Sequence, residues 1–452
     1  MILNDGLVRV MWKLSFPAIM AMMLFGLNSF MDTVYIGQLM DEVALAGVSL
    51  AYPLTNIMMG FGSWAGTGAG NLLSIAIGKN DLDTQEKILP NTAVMMIGLA
   101  VLFAIPAYFF SENLIRMMGG SGEVLEYGVR YFRVSVLSTP FWVFGLGFNM
   151  IVRGEGKMKE AAIMFTFGLA LNLILTPTLI YFFDMGVEGA AWATNSGMFV
   201  YTIVGYNYFR RGKASFNAKI HSLQFDKEIF FSVIRLGFPG FVLTVMGIVQ
   251  AVVVFNAIVN VGVEQDIAFF AACNRIMLFM MTPLFGMMRA LQPVVGVNFG
   301  AGQYDRVRSA FVVFCKHGFY IVFPFWLVMS LFPQYSLGLV LPNVVFDAAS
   351  LWNFRIYIFM LPFLPFVFNT LTFLPAIEKP KNANIIGMAR QLVFYVPVML
   401  ILPQYLGLRG VYYGTTGIDL IITAWMVIVM MAEMKRLQSV SSTGTLVSKT
   451  TP

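Results

Sequence analysis

The chain has 452 residues, of which 58% are hydrophobic and only 12% are charged, and its formal net charge is +6. Soluble domains carry about 25% charged residues, so this composition excludes an ordinary soluble protein and indicates an integral membrane protein. The two cysteines, Cys273 and Cys315, both lie in apolar stretches, so a disulfide framework is not indicated.

Apolar stretches of roughly 20 residues, the length that spans a bilayer, recur about twelve times along the chain. We predict helices at roughly 14–38, 46–77, 91–111, 128–152, 161–183, 189–208, 232–260, 267–297, 309–332, 353–376, 384–405 and 410–433. The first stretch is too long for the core of a cleavable signal peptide, so we interpret it as a retained helix. The predicted fold class is therefore an all-α integral membrane protein with twelve transmembrane helices.

The chain is duplicated internally with an offset of 222 residues. Six residues recur one half-chain later: Pro17 as Pro239, Gly78 as Gly300, Arg133 as Arg355, Pro140 as Pro362, Lys157 as Lys379 and Lys159 as Lys381. A duplicated apolar unit of membrane size is typical of a transporter built from two lobes, here two six-helix bundles.

The duplication and the polar segments predict four regions. These are an N-terminal six-helix lobe at 1–208, an inter-lobe linker at 209–230, a C-terminal six-helix lobe at 231–436 and a disordered tail at 437–452. The linker is the longest polar segment between predicted helices. The tail is rich in Ser, Thr and Gly, a composition that favours disorder.

Basic residues concentrate in the even-numbered connections between the predicted helices. They are Lys79, Lys87, Arg153, Lys157, Lys159, the five lysines and arginines of the linker, Arg306, Arg308, Lys379 and Lys381. By the positive-inside rule these connections and both termini are cytoplasmic. We predict a multi-pass protein of the cell (inner) membrane.

Asp32 is the main polar residue predicted at bilayer depth. Its repeat equivalent is Val254, so the carboxylate is present in one lobe alone. An apolar environment disfavours a charged carboxylate, so Asp32 can exchange a proton near neutral pH or release one to take Na⁺. The alternative is a carboxylate near the outer interface that water reaches and that has no function.

Three further polar residues are predicted to contribute to a cation-coupling site with Asp32. Asn172 and Thr176 are four residues apart and share one helical face, and Thr194 lies in the next predicted helix. Their oxygens suit a proton relay or a hard cation, so the one metal ion considered is Na⁺ at Asp32. Buried Asn and Thr also serve simply as hydrogen-bond partners between helices.

A second polar set is assigned to a substrate cleft or to bracing within a lobe. It comprises Asn28, its repeat equivalent Gln250, Arg390 and Asp419. Arg390 and Asp419 are predicted to form an intramembrane pair, while an excess of arginine would alternatively make a pocket for anionic groups.

Motifs of other functional classes are absent from the sequence. We find no Walker A loop, so no ATPase subunit is indicated, and no nucleophile elbow, zincin pattern or histidine cluster. The chain is therefore predicted not to be an enzyme, to need no cofactor beyond the coupling ion, and to have no nucleic-acid partner. The expected partners are small organic substrates and membrane lipid, and a monomer is expected.

Several segments resemble the multidrug and toxic compound extrusion (MATE) family of secondary antiporters, within a wider superfamily that also exports lipid-linked oligosaccharides and polysaccharides. The resemblance covers almost all of residues 8–436. Its segments are Leu-Ser-Phe-Pro17, Asp32-Thr-Val-Tyr-Ile-Gly37, Arg153-Gly-Glu-Gly-Lys157, Leu171-Asn-Leu-Ile-Leu-Thr-Pro177, Gly189-Ala-Ala, Gln292-Pro-Val-Val-Gly-Val-Asn-Phe-Gly-Ala301 and Arg390-Gln391 with Pro397 and Asp419.

The resemblance implies two six-helix bundles around a central cleft and export of a solute against inward flow of H⁺ or Na⁺. It also implies that Asp32, Asn172 and Thr194 correspond to the cation site of the N-terminal lobe. The family often has Asp where this chain has Thr176, which favours H⁺ over Na⁺ here. We therefore expect an antiporter of amphipathic, often cationic, organic compounds. The alternative is a flippase or exporter of a lipid-linked or anionic metabolite precursor.

Overall fold

A computed structural model of the chain describes residues 1–449 except Asp41, His221, Pro342 and Asn343. The side chains of Thr33, residues 36–39, Glu264 and residues 442–449 are also outside the description. Over the residues described, the chain is helical and contains no strand.

The N-terminal half contains eight helices. They are α1 (Leu7–Leu39), α2 (Glu42–Lys79), α3 (Leu82–Phe109), α4 (Ser111–Met117), α5 (Gly122–Val136), α6 (Thr139–Gly154), α7 (Met158–Pro177) and α8 (Gly186–Arg210). The C-terminal half contains nine. They are α9 (Lys227–Val261), α10 (Glu264–Gly300), α11 (Tyr304–Leu331), α12 (Pro333–Gly338), α13 (Ala348–Ile358), α14 (Leu364–Ala376), α15 (Pro380–Met388), α16 (Val396–Leu406) and α17 (Leu408–Lys449).

Four helices of the N-terminal half begin 222 residues before their equivalents in the C-terminal half. Helix α2 begins at Glu42 and α10 at Glu264, and α3 and α11 begin at Leu82 and Tyr304. The same offset separates the first residues of α7 and α15, and of α8 and α17. The duplication inferred from six residues is therefore present in the secondary structure, and the predicted fold class is confirmed.

Ten of the described helical segments are long and apolar enough to cross a membrane, or eleven when α5 and α6 count as one bent span. Helix α8, with 25 residues, completes the twelve segments that the sequence predicts. The α5–α6 pair is bent by 51°. Pro140 stands in the first turn of α6, where its missing N–H costs no helical hydrogen bond, so the break is a favourable place for it.

Residues 14–244 form one compact unit. A row of small residues on α2 lets α6 approach closely, as is usual between membrane helices. A Cβ added to Gly62 would lie 2.9 Å from the carbonyl oxygen of Trp142, and one added to Gly66 would lie 2.8 Å from the sulfur of Met150. The first part of α9 also belongs to this unit, where the indole nitrogen of Trp64 donates to the carbonyl oxygen of Ile234 at 2.9 Å.

Residues 1–13 and 245–452 form the other compact unit. The N-terminal residues are held there by Arg306, whose Nη2 donates to the carbonyl oxygen of Ile2 at 2.8 Å. Its apolar core includes Phe354, Leu361 and Tyr412, which are fully buried.

The linker and the tail differ from the predicted boundaries. Helices α8 and α9 extend into the predicted linker, so residues 211–226 are the segment between them. Helix α17 continues to Lys449 through most of the predicted disordered tail, of which residues 450–452 lie outside the described residues. Leu437 is buried, and the Ser441 hydroxyl donates to Asp305 Oδ2 at 2.7 Å. These contacts offset the low helix propensity of the Ser- and Gly-rich sequence.

Candidate functional site

The Asp32 carboxylate lies on α1, beside α7, and its side chain is half-buried. One turn earlier on α1, the Asn28 amide nitrogen donates to Asp32 Oδ2 at 3.2 Å. Asn28 also donates to Asn172 Oδ1 at 2.8 Å, which connects α1 to α7. Asn28, assigned from the sequence to a cleft or to bracing, therefore stands within the Asp32 cluster.

Helix α7 contributes Asn172 and Thr176, which are buried on the same face. The Thr176 hydroxyl lies 3.3 Å from Asp32 Oδ1 and 3.0 Å from the carbonyl oxygen of Asn172. A hydroxyl has one hydrogen, so Thr176 donates fully to one of these oxygens at a time. Pro177 follows directly and a short π-helix runs over Thr178–Phe182, a local irregularity that is frequent at functional sites.

Helix α8 contributes Thr194, whose Oγ1 lies 3.2 Å from Asn172 Nδ2. The helices α7 and α8 come this close because glycines face each other one turn away. A Cβ added to Gly168 would lie 2.8 Å from the carbonyl oxygen of Gly197, and one added to Gly197 would lie 2.7 Å from that of Gly168. All four residues that the sequence assigns to cation coupling are thus brought together within the unit of residues 14–244.

The Asn172 amide fits its surroundings in two orientations. In one, its oxygen accepts from Asn28 and its nitrogen donates to Thr194. In the other, its nitrogen donates to Asp32 Oδ1 at 3.2 Å and its oxygen accepts from the hydroxyl and the backbone nitrogen of Thr194. The Asn172 nitrogen then lies 2.8 Å from the Asn28 amide nitrogen, so the Asn28 amide must turn as well. The second orientation offers a donor to a carboxylate anion. The first places an acceptor beside Asp32, which is favourable when Asp32 carries a proton.

The formal charge of this cluster is carried by Asp32, since its other members are neutral amides and hydroxyls. Within the described part of the chain, no group of three or more His, Cys, Asp or Glu side chains could hold a metal ion. Binding of one proton would therefore neutralise the charge of the cluster completely. A monovalent cation would find one carboxylate and several neutral oxygens as ligands.

Arg390 and Asp419 form a separate polar cluster within the unit of residues 1–13 and 245–452. Arg390 donates through Nε and Nη2 to Asp419 Oδ1 at 3.0 and 2.8 Å, and through Nη1 to Gln250 Oε1 at 3.2 Å. Gln391 Nε2 donates to the same Gln250 oxygen at 2.8 Å. The Arg390 guanidinium also lies 5.0 Å from the centre of the Tyr395 ring.

Sequence reasoning did not assign Gln391 and Tyr395 to this cluster. Both are buried in a π-helix that runs over Ala389–Tyr395. The wider turn of a π-helix changes which side chains share a face, so α-helical spacing from Arg390 does not find them. The available signal was the Arg390-Gln391 pair itself, two adjacent polar residues in an apolar stretch.

A family model described as MatE matches residues 17–178 and 241–401, one match in each half of the duplication. Among curated proteins, the chain is 22% identical over 414 residues to the multidrug export protein MepA of Staphylococcus haemolyticus strain JCSC1435, covering 91% of this chain and 90% of that protein. It is 23% identical over 413 residues to MepA of Staphylococcus aureus strain MRSA252, covering 90% and 89%.

Solved structures with the same fold include MATE transporters. One is an outward-facing multidrug resistance MATE family transporter of the MOP superfamily, with a TM-score of 0.89, 24% identity and coverage of 96% of this chain and 98% of that one. Another is a MATE protein in the bent conformation, with a TM-score of 0.90, 23% identity and coverage of 98% of both chains. With both halves matched by the family model, the chain belongs to the MatE family, the multidrug and toxic compound extrusion transporters.

Proposed function

We propose that the protein is a secondary active antiporter that exports amphipathic, often cationic, organic compounds from the cytoplasm in exchange for inward H⁺, by alternating access of its two lobes. The observation that carries the proposal is the cluster of Asp32, Asn28, Asn172, Thr176 and Thr194 within one unit. It supplies one titratable carboxylate among neutral hydrogen-bonding groups.

The composition of the cluster favours H⁺ over Na⁺. A proton neutralises the single carboxylate completely and needs one acceptor, whereas Na⁺ needs several oxygens arranged as a cage. The two orientations of Asn172 provide a partner for each protonation state of Asp32. Because Asn172 also contacts Thr194 on α8, a change at Asp32 can be passed to a neighbouring helix.

The multidrug substrate class is supported by the relatives. Two of them are multidrug export proteins, and the similarity covers about nine-tenths of their length. The chain also contains 32 methionines and 43 phenylalanines. Side chains of these types adapt to ligands of varied shape, which suits a site that accepts several compounds.

Efflux of a fluorescent organic cation from cells that express the protein tests the proposal. We expect dye efflux that a protonophore abolishes and that Asp32→Asn removes. Asp184→Asn is a matched control, because it removes the same charge from an exposed residue outside the cluster. Equal dye accumulation in expressing and non-expressing cells, over a panel of cationic dyes, would argue against multidrug export.

A further inference from the structure

The segment between α8 and α9 is fixed to the unit of residues 14–244. Glu155 Oε2 accepts from the backbone nitrogen and the hydroxyl of Ser215 at 2.6 and 2.8 Å. At the far end of the segment, the backbone nitrogen of Asp226 donates to Asn91 Oδ1 at 2.6 Å. The described residues of the linker are therefore an ordered surface of this unit, on which side chains can hold a defined site.

An open cleft lies where α8 meets this linker. Its volume is about 400 Å³, and it is lined by Phe209, Arg210, Ala218, Lys219, Ile220 and Ser222. On the same scale a cavity needs about 10–15 Å³ to hold one water molecule, so the cleft can hold a group much larger than a single ion. The volume falls within the range of small-molecule sites, about 300–1,000 Å³.

The cleft combines two cations with apolar walls. Arg210 is exposed and has no ion-pair or hydrogen-bond partner among the described residues. Lys219 lies 2.9 Å from Glu86 Oε2, and its side chain keeps 43% of its surface exposed. The Ser222 hydroxyl donates to the carbonyl oxygen of Lys219, which closes the turn beside the cleft. An unpaired guanidinium with a lysine nearby suits the oxygens of a phosphate.

Two large apolar side chains that follow Ser222 along the linker are exposed. Leu223 and Phe225 are 64% and 63% exposed. The Phe225 ring centre lies 5.0 Å from that of Phe230, which holds it in place. Exposed apolar side chains beside basic residues are typical of a segment that lies at a membrane surface.

We propose that this cleft binds the phosphate headgroup of an anionic phospholipid from the leaflet that faces the linker, with Leu223 and Phe225 against its acyl chains. A free phosphate would use the cations and leave the apolar walls and the neighbouring exposed side chains without a role. A zwitterionic lipid would bring a second positive charge next to Arg210 and Lys219. The cleft therefore favours a lipid with net negative charge.

Native mass spectrometry of the purified full chain, loaded with phosphatidylglycerol or phosphatidylcholine, tests this inference. We expect retention of phosphatidylglycerol in preference to phosphatidylcholine. Arg210→Gln with Lys219→Gln should lower its retention by about fivefold, since two charged contacts to phosphate are lost. Arg211→Gln with Lys213→Gln removes the same charge from exposed linker residues outside the cleft, and should leave retention unchanged.

Glu86→Gln should have the opposite effect to the double variant of Arg210 and Lys219. It frees Lys219 from its ion pair, so retention of phosphatidylglycerol should rise. Equal losses in the two double variants would overturn the proposal, since diffuse surface charge would then explain binding. Displacement of the lipid by glycerol 3-phosphate at millimolar concentration would also overturn it, since a soluble phosphate would then be the ligand.

Discussion

Arg390 and Asp419 form an ion pair in the C-terminal half, and glycines stand at the two equivalent positions in the N-terminal half. By the offset of 222 residues, Arg390 corresponds to Gly168 and Asp419 to Gly197. The glycines let α7 and α8 touch through their backbones. The C-terminal half bridges the corresponding helices with charged side chains 2.8 Å apart. The two halves thus hold the same pair of helices by different chemistry.

This relationship predicts that Arg390 and Asp419 brace the C-terminal unit. Removing one partner of a buried ion pair leaves an uncompensated charge and costs about 3–5 kcal/mol, somewhat less where the pair is partly exposed. Asp419→Asn or Arg390→Gln alone should therefore lower the melting temperature clearly. The double variant should lose less than the sum of the two. Loss of export in Asp419→Asn at an unchanged melting temperature would instead indicate a direct role in transport.

The contact between Gly168 and Gly197 sets the position of Asn172. A Cβ on Gly197 would lie 2.7 Å from the carbonyl oxygen of Gly168 and 3.2 Å from Cβ of Asn172. We predict that Gly197→Ala separates α7 from α8, costs about 1–3 kcal/mol of stability and lowers the export rate. Gly98→Ala is the control, because a Cβ there meets nothing within 4 Å. Melting curves and dye efflux of both variants check the prediction, and identical behaviour of the two would contradict it.

The orientation of the chain remains a prediction from its basic residues. With Cys273 and Cys315 replaced by alanine, Glu123→Cys should react with an impermeant maleimide in intact cells. Lys213→Cys, in the exposed linker, should react only after permeabilisation. Labelling of Lys213→Cys alone in intact cells would reverse the topology.

The cluster carries one negative charge because the residue at position 176 is a neutral threonine and not an acid. Thr176→Asp places a second carboxylate within reach of Asp32, whose Oδ1 lies 3.3 Å from the native hydroxyl. Two acids offer a cation more charge and more oxygens, so we predict a shift of export toward dependence on external Na⁺. Thr176→Asn, which is neutral, should cause no such shift. A Na⁺ response in the Asn variant as well would show that charge at this position does not select the ion.

The sequence was sufficient to predict the twelve helical segments and four members of the Asp32 cluster, but it assigned the fifth, Asn28, to a cleft or to bracing. Hydropathy reports the length of a span, and the repeat aligned the two halves because Pro17 and Pro239 stand at equivalent places. Placing a carboxylate at bilayer depth costs free energy, and such residues are rare and usually functional. Asp32 was therefore identifiable without a structure.

Contacts between residues that are distant in sequence, and local irregularities of the backbone, could not be predicted in this way. The linker is held by Glu155 and Asn91, which lie far from it in sequence. The bend between α5 and α6 and the π-helix at Arg390 are local changes of backbone geometry that average hydropathy does not register. The helical tail depends on contacts such as that of Ser441 with Asp305.

In the proposed function, protonation of Asp32 couples the proton gradient to export. The most direct measurement is transport of an organic cation in proteoliposomes, under an imposed pH gradient without Na⁺ and under an imposed Na⁺ gradient at zero pH gradient. We expect export under the pH gradient alone, loss of export in Asp32→Asn with substrate binding retained, and near-indifference of export to Na⁺. Robust transport under the Na⁺ gradient with none under the pH gradient, or a wild-type rate in Asp32→Asn, would contradict it.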